Sequence, residues 1–123
     1  MAMKNIKVEF NTLDGDYCFD LDIENNTFNI VTNISYLQNK SGTIINIEEF
    51  INKVQETCIH NWEKEYSQNG LVIDDGVKWK VQLDGIKSCG YEGYWPYKFD
   101  LLIDAMIIID EKVECFRSNV GDK

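Results

Sequence analysis

The chain has 123 residues, 44% of them hydrophobic and 27% charged, and a formal net charge of −9 from 21 acidic and 12 basic side chains. That length closes one hydrophobic core but not two, and the apolar content lies far from the regime in which chains stay disordered, so a single α+β domain over residues 1–123 is expected. Phosphate backbones are bound by clustered Lys and Arg that replace counterions; here Arg117 is the only arginine, so direct binding to nucleic acid is disfavoured while a basic partner is not.

The opening MAMKNIKVEF carries no apolar run of signal-peptide length, and the apolar stretch at Met106 to Ile109 falls far short of the ~20 residues that cross a bilayer. A cytoplasmic protein without membrane contact is the expectation. Cys18, Cys58, Cys89 and Cys115 lie far apart, with no C-x-x-C pair and no histidine at ligand spacing. Neither a zinc site nor a redox motif is encoded, no cofactor is expected, and buried free thiols in a reducing compartment are the plain reading.

Taken in chain order, Ile6, Val8 and Phe10 alternate with Lys7 and Glu9, and after Asp14-Gly15 the residues Tyr17, Phe19, Leu21 and Ile23 alternate with Cys18, Asp20, Asp22 and Glu24. This period of two predicts a hairpin, and a turn at Asn25-Asn26 leads into a third strand over Thr27 to Ile34. The polar stretch Gln38 to Gly42 breaks the pattern. Asn46 with Glu49 three residues on, flanked by Ile45 and Phe50 at staple spacing, predicts a helix start. Ile47, Phe50, Ile51, Val54, Cys58, Trp62 and Tyr66 continue its apolar stripe, and Asn69-Gly70 supplies a stop.

Val77, Trp79, Val81 and Leu83 then alternate with Lys78, Lys80 and Gln82, and Asp84-Gly85 turns this strand into a short partner at Ile86 to Cys89. Gly90 to Pro96 reads as a loop. From Tyr97 the spacing of Phe99, Leu102, Ile103, Met106, Ile109 and Val113 predicts a second helix, although the β-branched run Ile107-Ile108-Ile109 also suits a strand. The economical assembly is an antiparallel sheet of about five strands, in the order β-β-β-α-β-β-α, with two helices packed on one face.

Catalytic apparatus is sparse. His60, the only histidine, lies two residues from Cys58, where neighbours on a helix point to different sides. Asp20-x-Asp22-x-Glu24 resembles the opening of a calcium loop but has Asn25 and Val31 where that loop requires Gly and Glu, and no glycine-rich phosphate loop is present. No catalytic residue is assigned, and the chain is read as a non-enzyme.

Two surfaces remain. From Val8 to Gln38 there is no Lys or Arg, while Glu9, Asp14, Asp16, Asp20, Asp22 and Glu24 fall inside the run. The strand acids Asp20, Asp22 and Glu24 form a candidate partner-binding face; the plainer alternative is a solvated face paired with Lys78 and Lys80. The second is the loop Gly90 to Tyr97, where Tyr91, Glu92, Tyr94 and Trp95 combine the residue types that dominate interface hot spots. Its plainer alternative has Trp95 and Tyr97 locking the loop onto the core.

Asp75-Gly76-Val77-Lys78-Trp79, then Ser88-x-Gly90, then Trp95-Pro96 with Phe99 and Leu102, resemble a pattern of small uncharacterised proteins of low-GC Gram-positive bacteria: a D-G-x-x-W strand, a G-x-x-x-x-P loop and a final helix. The resemblance covers the second half and implies a fold, with no catalytic residue to carry over. In general character, the chain resembles the immunity proteins of bacterial toxin systems and the anti-defence inhibitors of phages, anti-CRISPR proteins among them. That resemblance implies an acidic inhibitor that neutralises a basic toxin or nuclease-like protein, with charge steering capture. A small enzyme or ligand-binding domain with a pocket between sheet and helix is the alternative.

Overall fold

A computed structural model describes residues 3–66, 78–91, 95–96 and 98–119. It contains β1 (Asn5–Thr12), β2 (Gly15–Asp22), β3 (Thr27–Thr32), β4 (Lys40–Thr43), α1 (Ile47–Glu56), β5 (Glu65–Tyr66), β6 (Lys78–Leu83), β7 (Ile86–Tyr91) and α2 (Phe99–Ile107), with 3-10 segments at Ile59–Asn61 and Glu111–Asn119. The strands form one sheet in the order β4-β3-β2-β1-β6-β7-β5. Every pairing is antiparallel except β5 with β7, which is parallel.

The α+β class and the helices on one face agree with the sequence; the count of about five strands and the order β-β-β-α-β-β-α do not. The structure adds β4 and β5. β4 is the four-residue edge Lys40–Thr43, exposed along its whole length, so it has no buried face to impose alternation. The two residues of β5 were expected at the end of a helix.

That helix stops at Glu56 because the chain turns at Cys58, which has φ 54°. Thr57 donates its hydroxyl to the Val54 carbonyl at 2.5 Å, and the Trp62 indole donates to the Thr57 carbonyl at 3.0 Å. Trp62 and Tyr66, which continue the helical spacing in sequence, instead pack beside Trp79 from outside the helix. At the other end the Asn46 side chain makes no cap bond, and Ile45 is 93% exposed while Phe50 is buried. The staple is therefore not formed. Of the β-branched run, Ile107 ends α2, and Ile108 and Ile109 lie in the turn that follows, so the run forms no strand.

Alternation sorts the sheet into two faces. Ile6, Val8, Phe10, Tyr17, Phe19, Leu21, Ile30, Trp79, Val81 and Leu83 are buried beneath the helices. Phe50 of α1 stacks on Phe19, Phe99 of α2 meets Phe10 and Trp79 edge-on, and Phe116 stacks on Phe10 with ring centroids 4.3 Å apart. Gly90 allows the parallel β5 to close on this cluster: a Cβ there would lie 2.5 Å from the Tyr66 carbonyl oxygen and 2.9 Å from the Trp79 ring. Among the described residues no helix is long and apolar enough to cross a membrane.

Candidate protein-interaction face

Burying Tyr17, Phe19 and Leu21 forces Asp16, Cys18, Asp20 and Asp22 onto the opposite, uncovered face of the sheet. β2 has neighbours on both sides there. Asp16 lies opposite Asn11, Asp20 lies between Lys7 of β1 and Asn29 of β3, and Asp22 lies between Asn5 and Thr27. Glu24 is exposed just beyond the strand, in the turn that leads to β3.

The hydrogen bonds to these carboxylates come from neutral amides. Asp16 accepts from the Asn11 side chain at 2.9 Å, Asp20 from the Asn5 side chain at 3.0 Å, and Asp22 from the backbone and side chain of Asn25 at 3.1 and 2.8 Å. Such bonds orient a carboxylate without neutralising it. The suggested pairing with Lys78 and Lys80 is not what the register provides: both lie on β6, beyond β1, where Lys78 faces Asn11 and Lys80 faces Glu9.

The acidic row ends at the β1–β2 turn, where two apolar side chains stand in solvent. Leu13 is 77% exposed and Tyr36 is 54% exposed. The Tyr36 hydroxyl donates to Asp14 at 3.3 Å, and the Asn33 side chain accepts from the Asp16 backbone N–H at 2.7 Å, tying the 33–37 segment to the hairpin. Val31, opposite Cys18, continues the exposed apolar surface along β3. A tyrosine and a leucine beside Asp14 and Asp16 make a surface with both contact area and charge.

Of the aromatic loop, Tyr91 ends β7, while Glu92 and Tyr94 lie outside the described residues. Trp95 is half-buried, stacked on Trp79 at 5.7 Å and edge-on to Phe99 at 4.8 Å. Its ring belongs to the core layer. Leu13 and Tyr36 were missed in the sequence reading; the one available signal was Leu13 itself, an apolar residue at a hairpin tip that has nowhere to bury.

The four cysteines are free, and they are not the buried thiols expected: Cys18, Cys58 and Cys89 are half-buried and Cys115 is exposed. Burial, opposed by Lys7 and reinforced by Glu9 and Asp20, pushes the Cys18 thiol up from its usual range. His60 is exposed on its 3-10 turn. Among the described residues no group of three or more His, Cys, Asp or Glu side chains is placed to hold a metal ion. Comparisons with protein-family models, curated proteins and solved structures find no match to this chain.

Proposed function

We propose that this chain is a non-catalytic protein inhibitor of the immunity or anti-defence type, which binds a basic toxin or nuclease-like protein through the acidic half of its open sheet face. The observation that carries this reading is the continuity of the site: Asp16, Asp20 and Asp22, bonded to neutral amides, run into the exposed Leu13–Tyr36 end. Carboxylates bonded to neutral amides, with Lys7 opposite Asp20 as a cationic cross-strand neighbour, steer a basic protein toward the face, and the exposed Tyr and Leu supply the short-range contact that holds it. Carboxylates fixed on paired strands and oriented by neighbouring amides suit this task because such preorganisation reduces the ordering cost of binding.

The testing experiment is capture of a binding protein with the full chain, followed by association and dissociation kinetics of the purified pair. Asp20→Asn with Asp22→Asn lowers the association rate and Tyr36→Ala raises the dissociation rate if the reading is right. Retention of no macromolecule, together with a small molecule that raises the melting temperature, would replace it with a ligand-binding role.

A further inference from the structure

The same open face carries a second, oppositely charged half. On β1, β6 and β7 the cross-strand rows read Lys7–Gln82–Lys87 and Glu9–Lys80–Cys89. Strands lie about 4.8 Å apart, so Lys7 and Lys87 bracket a floor about 10 Å wide. Lys64 joins them from the chain entering β5, held in place because its carbonyl accepts the Cys89 backbone N–H at 3.0 Å. These four lysines line a shallow, open groove of about 630 Å³, floored by Gln82 and Cys89.

Two features distinguish this groove from a solvated lysine face. In a chain with 21 acidic residues, Lys7, Lys64, Lys80 and Lys87 enter no ion pair among the described residues, where the ion pairs given are those of Lys40 with Asp110 and of Arg117 with Asp104 and Glu114. Lys7, Lys80 and Lys87 are also held around one concavity by strand pairing and Lys64 by its backbone bond to β7, with Glu9 the one carboxylate in the lining, so the groove keeps an excess of positive charge that an anion would complement.

We propose that the groove takes a carboxylate-rich, extended segment of a protein. This deepens the reading above, on which it rests for the partner's identity: one partner would then offer a basic patch to β2 and an acidic segment to β6 and β7. Carboxylates fit better than phosphates. The groove contains no arginine to fork onto a phosphate, and Glu9 lines its edge with Asp20 and Asp22 one strand further on, so a long polyanion crossing the sheet meets repulsion within two strands. A short acidic segment lying along β6 and β7 avoids those carboxylates.

The test uses the full chain and a hexaglutamate peptide, with binding followed by amide chemical shifts and calorimetry at low and high salt. Binding is expected, with the largest shifts on β6 and β7. Lys80→Gln with Lys87→Gln, at exposed positions that leave the core untouched, weakens it at least tenfold. Asp20→Asn with Asp22→Asn leaves it equal or tighter. Absence of peptide binding, unchanged binding in the lysine variant, or tighter binding of a single-stranded oligonucleotide of equal charge overturns the proposal. Because the peptide has no basic side chain, its arm succeeds or fails independently of whether a basic partner is ever captured.

Discussion

The phenol of Tyr17 donates a 3.0 Å hydrogen bond to the carboxylate of Asp110, which is only 2% exposed and lies 93 residues away in sequence. Asp110 also accepts the Lys112 backbone N–H at 3.2 Å, capping the 3-10 segment Glu111–Asn119, and lies 3.9 Å from the Lys40 ammonium on β4. One buried carboxylate thus ties the C-terminal segment to two strands. Tyr17→Phe removes a donor from a buried acceptor and is expected to cost about 1–3 kcal/mol of stability, read by chemical denaturation.

The same pair has a pH signature. Burial first, then the Asp110 charge and its hydrogen bond, push the Tyr17 hydroxyl far above its usual range. The unfolded chain therefore loses this proton as pH rises through about 10 while the folded chain keeps it. The stabilisation is complete below that pH and declines above it. Denaturation at about pH 8 and about pH 11 checks this: the wild-type chain loses more stability between the two than Tyr17→Phe does.

Trp79 is the hub of the aromatic core, with Trp62, Tyr66, Trp95 and Phe99 around it. Trp79→Ala is expected to cost about 3–5 kcal/mol, enough to unfold a domain of marginal stability. Trp95→Phe is expected to cost much less, since it keeps a ring in the stack and removes an indole N–H that has no acceptor among the described residues. Thermal melting of both variants distinguishes a hub from its neighbour; equal losses would contradict this packing.

Gly90 is the point at which β5, β6 and β7 meet. Gly90→Ala places a methyl group against the Tyr66 carbonyl and the Trp79 ring, and backbone cannot yield as a flexible side chain does. The expected loss is about 1–3 kcal/mol. Amide exchange should localise it to β5 and β7, whereas Gly85→Ala, with open space around it, should leave those amides protected.

The parts of the fold that were legible in sequence are those with one buried face. β1, β2, β3 and β6 alternate because the helices cover one side and solvent the other, and the turns at Asn26 and Asp84, with φ 59° and 54°, fall at residues that tolerate that conformation. β4 left no trace because neither of its faces is buried. The overrun of α1 has a different origin: Trp62 and Tyr66 serve the same core that the helix serves, so their spacing mimics a stripe that the backbone has already left. The acidic face followed directly from the β2 alternation, since three buried residues dictate where Asp16, Asp20 and Asp22 point. Tyr36 did not, because its exposure is set by how the 33–37 segment folds back on the hairpin through Asn33, a tertiary contact with no local period.

Steering of a basic protein by Asp20 and Asp22 is read in the association rate of the captured partner with wild-type chain and with Asp20→Asn/Asp22→Asn at about 0.05 M and about 0.5 M salt. The Debye length falls from above about 10 Å to below about 5 Å over that range, so the half-buried Asp20 and Asp22, which open onto solvent, lose most of their reach. The account predicts a several-fold slower association for the variant at low salt, a gap that closes at high salt, and little change in dissociation. An association rate that is equal for the two chains at low salt, or a loss confined to dissociation, would contradict it.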